Sequence, residues 1–333
     1  MMSASLPLIE DYLFNLYEKK ILCCPSKKNN QMKQSLSYYI VRLVLKWKRV
    51  KENFSSDPID VKKIRQEDVH QAKGSFFKKN VLRTFHILDS SITEIGMNKN
   101  FDNLLLFIPG GAFISGPAQH HWDTAKEIAK AANYKIWICD YPKAPESQII
   151  KISENIDAIY ASALKTYKAS NISIIGDSVG GTLATALTQR LIAQKMKLPA
   201  QLILVSPVMD ASMSNPEIEN IDQSDPMLSK IGVLSAKKMC AGSKDLKDAI
   251  ISPLYGTFEG FPDTSLFLSQ KDIMYPDGKL AEIKMKASKV NVSVFQGLNM
   301  PHIWPFLPVM KEAKLALNEI IQILKRKQPK IHS

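Results

Sequence analysis

The chain has 333 residues, of which 45% are hydrophobic and 23% charged, and its formal net charge at pH 7 is +12. This composition predicts one medium-sized globular domain with an additional segment, and it excludes a disordered or fibrous chain. No apolar run approaches the ~18 residues that cross a bilayer, and Glu10 and Asp11 interrupt the apolar segment 6–16, so neither a membrane span nor a secretory signal is expected. The predicted compartment is the cytoplasm.

The four cysteines agree with this compartment, because without a secretory signal they are expected to be reduced thiols. Cys139 falls in a predicted strand and Cys240 in a predicted helix. The pair Cys23-Cys24 stands beside several lysines. Lipidation and metal binding are the two alternatives for this pair, although no further residue at a suitable spacing supports either.

The first hundred residues carry more than half of the net positive charge. Six apolar residues there recur every three or four positions, as on one face of an amphipathic helix: Leu36, Ile40, Leu43, Trp47, Val50 and Phe54. This helix either covers the core or the site of its own chain, or gives weak contact with an anionic membrane surface. No nucleic-acid motif accompanies the charge, so a nucleic-acid partner is not expected.

From residue 81 onward, short apolar runs alternate with helical patterns. We predict eight strands, at 81–88, 92–95, 104–108, 136–139, 172–175, 202–205, 264–268 and 290–295. This alternation predicts an α/β fold with a mostly parallel sheet, helices on both faces, and ligands at the carboxyl ends of the strands. Residues 207–250 interrupt the rhythm, and we expect them to form part of a helical cap.

The segment Pro109-Gly110-Gly111-Ala112-Phe113 follows the third predicted strand directly. Glycines lack a Cβ atom, so Gly110 and Gly111 can turn their N–H groups toward a bound group. An oxyanion formed during acyl transfer needs two or three such donors. An ordinary strand-to-helix connection is the alternative.

The segment Gly176-Asp177-Ser178-Val179-Gly180-Gly181 lies between a predicted buried strand and a predicted helix, 182–193. A serine on such a strained turn exposes its Oγ, and the N-terminus of the next helix favours negative charge beside it. The pattern predicts a nucleophile elbow centred on Ser178. A plain glycine-rich turn is the alternative.

A serine nucleophile needs a base, and His302 is the candidate among six histidines. It follows the last predicted strand by a short loop, which is the position of the base in chains with the order serine, acid, histidine. A packed surface histidine is the alternative. The adjacent pair His120 and His121 only begins the helix after the glycine segment.

Asp272 is the candidate for the acid that orients His302, since it is the first carboxylate after the predicted strand 264–268. It would accept a hydrogen bond from His302 Nδ1 and fix the tautomer of the ring. Asp277, on the following predicted helix, is the runner-up.

Together these motifs resemble the hormone-sensitive-lipase-like branch of the α/β-hydrolases, which includes bacterial carboxylesterases and acetyl-hydrolases. The resemblance covers roughly residues 80–325. The elbow is similar to the branch's G-D-S-A-G-G, and Asp140-Tyr141-Pro142-Lys143-Ala144-Pro145-Glu146 to its D-Y-R-L-A-P-E. Three further segments resemble its S-P-W-x-D, D-P-x-L and S-P-L patterns: Ser206-Pro207-Val208-Met209-Asp210, Asp225-Pro226-Met227-Leu228 and Ser252-Pro253-Leu254.

Two segments depart from this branch. It usually has H-G-G-G-F where this chain has Pro109 and Ala112, and a proline where Ile273 follows Asp272. The resemblance still implies an oxyanion hole of four N–H groups, those of Gly110, Gly111, Ala112 and Val179. The methyl group of Ala112 is expected to narrow the range of esters accepted.

The resemblance implies a serine carboxylesterase in which Ser178, His302 and Asp272 form the catalytic triad. Its expected substrate is a small ester with a short- to medium-chain acyl group, and neither a metal nor an organic cofactor is implied. An amidase or peptidase with the same triad and a non-catalytic ligand-binding member of the fold are the alternatives. The residues do not distinguish a monomer from a homodimer.

The same resemblance predicts the domain organisation. Residues 1–75 would form an N-terminal helical cap and residues 76–333 the catalytic domain, with 207–250 as a second cap segment. Phe113 and Tyr141 are expected to line the substrate pocket.

Overall fold

The computed structural model describes residues 34–97, 102–307 and 309–327. The predictions for segment 6–16, for Cys23-Cys24 and for the start of the N-terminal cap lie outside these residues. Cys139 and Cys240 lie inside them, and both are free thiols in the protein interior. Within the same ranges, no helix combines the length and the apolar character needed to cross a membrane.

All eight predicted strands are present in the described chain, with bounds within two residues of the prediction. They are β1 Val81–Ile87, β2 Ser90–Ile95, β3 Leu104–Ile108, β4 Lys135–Asp140, β5 Ile172–Asp177, β6 Gln201–Val205, β7 Asp263–Ser269 and β8 Val292–Gly297. They form a sheet in the order β1-β2-β4-β3-β5-β6-β7-β8, antiparallel at β1–β2 and β2–β4 and parallel elsewhere. The predicted α/β class and mostly parallel sheet are confirmed.

Helices cover both faces of this sheet. In the described residues they are α1 Leu36–Trp47, α2 Val50–Asn53, α3 Val61–Ile64, α4 Ser75–Asn80, α5 Gln119–Ala131, α6 Ile149–Leu164, α7 Val179–Ala193, α8 Glu217–Asp222, α9 Lys230–Ala241, α10 Tyr275–Ala287 and α11 Lys311–Arg326. Successive side chains of a strand point to opposite faces. Leu104 and Leu106 of β3 therefore join α6 and α7 in one core, while Leu105 and Phe107 join α5 and α11 in another.

The amphipathic helix predicted from Leu36 to Phe54 is interrupted. α1 ends at Trp47, and α2 begins at Val50 after Arg49, which adopts the left-handed conformation (φ 52°). A non-glycine residue in that conformation costs roughly 1–2 kcal/mol. The break takes Val50 and Phe54 out of the line of the α1 side chains.

The apolar stripe predicted on α1 faces solvent, which corrects the expectation that the chain's own core covers it. The exposed fraction is 77% for Leu36 and 80% for Trp47, while Tyr38 and Leu45 on the opposite side are buried. The physical reason is that α1 carries a second apolar face. Tyr38 favours burial of that face, because its hydroxyl donates to Asn299 O in the loop after β8 (2.8 Å).

Residues 35–59, called here the N-terminal strap, are attached near both ends. Ser35 donates from its N–H and from its hydroxyl to the carboxylate of Glu312 on α11 (both 2.7 Å). Near the other end, Phe54 O accepts a hydrogen bond from Gly232 N–H on α9 (3.0 Å). The strap therefore links α9 to α11.

Gly232 approaches the strap so closely that a side chain does not fit. A Cβ atom there would overlap with the backbone oxygen of Phe54. Alanine normally stabilises a helix interior relative to glycine. We nevertheless expect Gly232→Ala to lower the free energy of unfolding by roughly 1–3 kcal/mol, because overpacking outweighs helix propensity. Urea unfolding followed by circular dichroism measures the change.

Gly278→Ala on α10 is the matched control for that variant. A Cβ atom at Gly278 would meet a terminal methyl group of Leu268 at 2.7 Å, and such a side chain can move. Gly278→Ala should therefore be neutral or stabilising. If Gly232→Ala were as stable as the parent, the strap would have to separate from α9 at little cost.

Candidate active site

Four loops meet at the carboxyl edge of the sheet. They follow β3, β5, β7 and β8, and they carry the glycine segment, Ser178, Asp272 and His302. These strands are parallel, so their carboxyl ends point the same way. Residues far apart in sequence are thereby brought to one place.

Ser178 lies between β5 and α7, at the N-cap position of the helix. Its backbone is strained (φ 51°, ψ −123°), as a nucleophile elbow requires. Gly180 makes the turn sterically feasible, because a Cβ atom there would overlap with Ile108 O at the end of β3. The N-terminus of α7 places unpaired N–H groups and the positive end of its dipole beside Ser178.

The buried carboxylate of Asp177 holds the glycine segment against the elbow. Its Oδ1 accepts a hydrogen bond from Gly110 N–H (3.0 Å), and its Oδ2 accepts one from His121 Nε2 (3.3 Å). Ala118 N–H donates to His121 Nδ1 (2.8 Å), so the ring proton lies on Nε2 and faces the carboxylate. Burial alone would raise the pKa of Asp177, but His121 and the Gly110 hydrogen bond lower it below its ordinary value.

This arrangement corrects the prediction for Gly110. Its N–H already donates to Asp177, so it is not available to an oxyanion. The N–H groups of Gly111, Ala112 and Val179 make no hydrogen bond to another residue in the described ranges. The loop turns through left-handed conformations at Gly111 (φ 128°) and Ala112 (φ 53°). These three N–H groups are the remaining candidate donors.

Phe113 and Tyr141 lie outside the lining of the cavity at this site, which corrects their prediction as pocket residues. The chain is left-handed at Phe113 (φ 65°), and its ring belongs to the buried core instead. Tyr141 is also buried, and its hydroxyl donates to Pro109 O (2.9 Å). Both residues support the glycine segment from the protein interior.

His302 and Asp272 are hydrogen-bonded, with 2.8 Å between Nδ1 and Oδ2, and both side chains are buried. Asp277, the alternative acid, lies on α10 and accepts a hydrogen bond from Asn215 Nδ2 (3.0 Å). The geometry therefore favours Asp272 over Asp277 as the partner of His302.

A second buried carboxylate, Asp225, lies beside this pair. Its oxygens accept hydrogen bonds from the N–H groups of Met227 (2.8 Å), Leu228 (2.9 Å) and Ile273 (2.9 Å). Burial, and then the negative charge of Asp272, raise the pKa of Asp225. The sequence indicated the segment that contains Asp225, but nothing in it showed that this segment folds against Asp272.

The charges around His302 raise the pKa of its imidazole. Burial alone would lower this pKa, but the charge of Asp272 and its hydrogen bond to the ring act in the opposite direction. Asp225 and Asp177 add to the upward shift. The site therefore favours the imidazolium form of His302.

Ser178 and His302 line one cavity of about 350 Å³. The described structure contains no hydrogen bond between Ser178 Oγ and His302 Nε2, and such contacts are often long without substrate. Leu45 and Phe54 of the strap and Val233 of α9 also line the cavity. The walls thus come from the sheet edge, the strap and the segment 207–250.

His120 lines the same cavity, and its Nε2 atom is buried without a hydrogen-bond partner among the described residues. Burial, and then the neighbouring His121, lower the pKa of His120 to about 3, so the ring is neutral. Atoms of His120, His121 and Asp177 suited to metal binding lie within 4.8 Å of one another. The His121 proton already occupies this space, fixed by Ala118, so the set fits hydrogen bonding better than metal coordination.

Comparison with known proteins places this fold and geometry in a family. Residues 105–306, more than half of the chain, match the family of the α/β hydrolase fold. The chain belongs to this α/β-hydrolase family. It is 31% identical over 241 residues to an esterase of Acinetobacter venetianus, a match that covers 69% of this chain and 77% of the relative. It is 27% identical over 208 residues to esterase LipU of Mycobacterium tuberculosis, covering 60% of this chain and 67% of the relative.

A solved structure agrees in fold. The crystal structure of an esterase from the bacterial hormone-sensitive lipase family superposes with a TM-score of 0.79 at 23% identity, and the match covers 89% of this chain and 99% of that one. The predicted α/β-hydrolase family and the similarity to esterases are confirmed by the family match and these relatives.

The raised pKa of His302 leads to a prediction for the pH dependence of ester hydrolysis. His302 must be neutral to accept a proton, so kcat/KM falls as the pH drops through this pKa. The ionised form of Asp225 is one of the charges that raise it, and Asp225→Asn removes that charge. The acid limb of the kcat/KM profile should therefore move to lower pH, as measured with p-nitrophenyl acetate.

Asp277→Asn is the control for this shift, because Asp277 is not among the groups that set the pKa of His302. Its acid limb should stay in place. If the limb of Asp225→Asn also stayed in place, Asp225 would have no part in the electrostatics of the base.

Proposed function

We propose that this chain, a carboxylic ester hydrolase by family, is a serine carboxylesterase for esters with short- to medium-chain acyl groups. The observation that carries the proposal is the 2.8 Å hydrogen bond between His302 and Asp272 at the wall of the cavity that Ser178 also lines. In this proposal Ser178 is the nucleophile, His302 is the base and Asp272 is the acid that orients the base, as acyl transfer requires.

The reaction proceeds in two halves. Ser178 Oγ attacks the carbonyl carbon while His302 Nε2 accepts its proton, and Asp272 stabilises the resulting imidazolium through Nδ1. His302 returns the proton to the alkoxy oxygen, the C–O bond breaks and the alcohol leaves. A water molecule, deprotonated by His302, then attacks the carbonyl carbon of the acyl-enzyme. The bond between that carbon and Ser178 Oγ breaks, His302 returns the proton to Oγ, and the carboxylic acid is released.

The negative charge of each tetrahedral intermediate falls on the former carbonyl oxygen. Gly111, Ala112 and Val179 offer N–H groups for it, and the dipole of α7 adds a favourable field. Loss of a single donor of this type typically costs ~10²–10³ in kcat. Gly110 contributes indirectly, since its bond to Asp177 fixes the loop that carries two of the donors.

The cavity supports a small or medium-sized ester, because about 350 Å³ lies near the lower end of the ~300–1,000 Å³ typical of ligand pockets. In this proposal the described part of residues 1–75 and the segment 207–250 together cap a catalytic domain, residues 76–333. Leu45 and Val233, one from each segment, line the cavity in support of that division. The methyl group of Ala112 narrows the cavity floor further.

A fluorophosphonate probe tests the nucleophile, because it reacts with an activated serine. It should label Ser178 in the wild-type protein, and Ser178→Ala should lose both the label and the hydrolysis of p-nitrophenyl esters. Ser115→Ala is the matched control, since Ser115 lines the same cavity and has no proposed catalytic role. Peptide mass spectrometry locates the label.

Persistent labelling of Ser178→Ala would refute the assignment of the nucleophile. An unlabelled wild-type protein would favour a non-catalytic ligand-binding member of the fold. Rates on esters from acetate to dodecanoate, beside the corresponding anilides, separate a carboxylesterase from an amidase and give the preferred acyl length.

Substitution of the two candidate acids tests the orienting role. Asp272→Asn should lower kcat by ~10³–10⁴, because an amide at this position favours the wrong tautomer of His302. Asp277→Asn should cost less than about tenfold, since Asp277 bonds to Asn215 and not to the imidazole. Steady-state kinetics on one ester compare the two variants, and the reverse ranking would transfer the role to Asp277.

A further inference from the structure

α1 turns six large hydrophobic side chains toward solvent. These residues, called here the outer face of α1, are Leu36, Tyr39, Ile40, Leu43, Val44 and Trp47. The exposed fraction reaches 68% for Leu43 and 80% for Trp47. No other helix of the described chain exposes as many large hydrophobic side chains. A continuous apolar face of this kind marks a contact surface.

The outer face lies opposite a second apolar face of the same helix. Tyr38 and Leu45 on that inner face are buried against the rest of the protein. Residues three and four positions apart stack on one side of a helix, so both faces run along its length. The described chain covers only the inner one.

Basic side chains border the outer face. Arg42 and Lys46 lie on α1, and Lys271 lies with them around a groove of about 880 Å³. Within the described ranges, none of these three cations forms an ion pair. Two acidic residues line the same groove: Glu52 is paired with Arg49, and Asp225 is buried and bonded to backbone N–H groups. The border of the outer face therefore carries positive charge that the described residues do not neutralise.

We propose that the outer face of α1 docks on the surface of an anionic phospholipid bilayer. The apolar side chains enter the boundary between headgroups and acyl chains, while Arg42, Lys46 and Lys271 contact lipid phosphates. Trp47 supports this assignment, because indole rings favour that boundary. Docking of this kind does not depend on ester hydrolysis.

Charge favours a lipid surface over a second copy of the chain. In a two-fold dimer through the outer face, α1 would meet α1, and the two basic borders would face each other. Residues 42–52 hold five basic residues and one acidic residue. Self-association therefore brings like charges together, whereas anionic headgroups attract the same charges.

Docking also places the candidate active site near the lipid. Leu45 on the inner face lines the cavity that contains Ser178, so one helix would separate the cavity from the bilayer. Whether esters reach Ser178 from the lipid rests on the proposed function. The binding experiment below is independent of that function.

Trp47 makes the docking measurable with the full-length protein. The chain has four tryptophans, and the other three, Trp122, Trp137 and Trp304, are buried. Vesicles of phosphatidylcholine with phosphatidylglycerol should shift the tryptophan emission to the blue and carry the protein into the pellet on sedimentation. Vesicles of phosphatidylcholine alone should do neither, and added salt should weaken the binding.

The apolar contribution is tested by Ile40→Gln/Leu43→Gln, which keeps Trp47 as the probe. This variant should bind anionic vesicles about tenfold or more weakly, because two apolar side chains no longer enter the lipid. Ile150→Gln on α6 is the matched control, since Ile150 is exposed to the same extent as Ile40 (both 47%), and α6 packs in the core on the other face of the sheet from Tyr38 of α1. It should bind like the parent, and melting temperatures confirm that each variant is folded.

The charge contribution is tested by Arg42→Gln/Lys46→Gln, which should weaken binding and reduce its dependence on salt. The proposal fails if the parent does not bind anionic vesicles, or if Ile40→Gln/Leu43→Gln binds as tightly as the parent. It also fails if light scattering shows a dimer that this variant dissociates while vesicles bind neither protein. That last result would assign the outer face to a second copy of the chain.

Discussion

The geometry of the site depends on one buried carboxylate. Asp177 is the last residue of β5. Its carboxylate accepts one hydrogen bond from Gly110 of the glycine segment and another from His121 of α5. A carboxylate is stable in the interior only when hydrogen bonds or opposite charge replace its hydration, and removing a partner from a buried charge typically costs ~3–5 kcal/mol. Both bonds converge on the residue before Ser178. The interaction that compensates a buried charge therefore also sets the distance between Ser178 and the N–H groups that follow Gly110.

Around this carboxylate the backbone adopts conformations that side chains rarely occupy. Ser178, Ala112 and Ile303 have positive φ values of 51°, 53° and 48°. Residues of this kind cost of order 1–3 kcal/mol each, and a β-branched residue such as Ile303 tolerates the conformation least. The Ser206 hydroxyl accepts a hydrogen bond from Ile303 N–H (3.1 Å), which ties the loop of His302 to the end of β6. The strain persists because the rigid parallel sheet holds each loop at its base.

The features that the sequence predicted well are determined within about ten residues of chain. Continuous apolar runs identified the strands, and glycine spacing identified the elbow. The missed features depend on distant partners: Gly110 bonds to a carboxylate 67 residues away, and Tyr38, which favours burial of one face of α1, bonds to Asn299, 261 residues away. An amphipathic pattern shows that a helix has an apolar face, but it does not show which of two such faces the protein covers. The direction of Phe113 was missed because left-handed backbone at a phenylalanine has no signal in local propensity.

The strap is attached at both Glu312 and Gly232, so it differs from a lid hinged at one end. In the proposed function, local opening of one attachment would admit an ester wider than the cavity to Ser178. The free energy of that local opening adds to the free energy of binding, and the apparent Kd of a wide ester rises by the reciprocal of the opened fraction. Esters that fit the closed cavity bind without this additional term. The selectivity between narrow and wide esters then reports the local stability of the strap. A substitution that loosens either attachment would admit wider esters without changing any residue of the site.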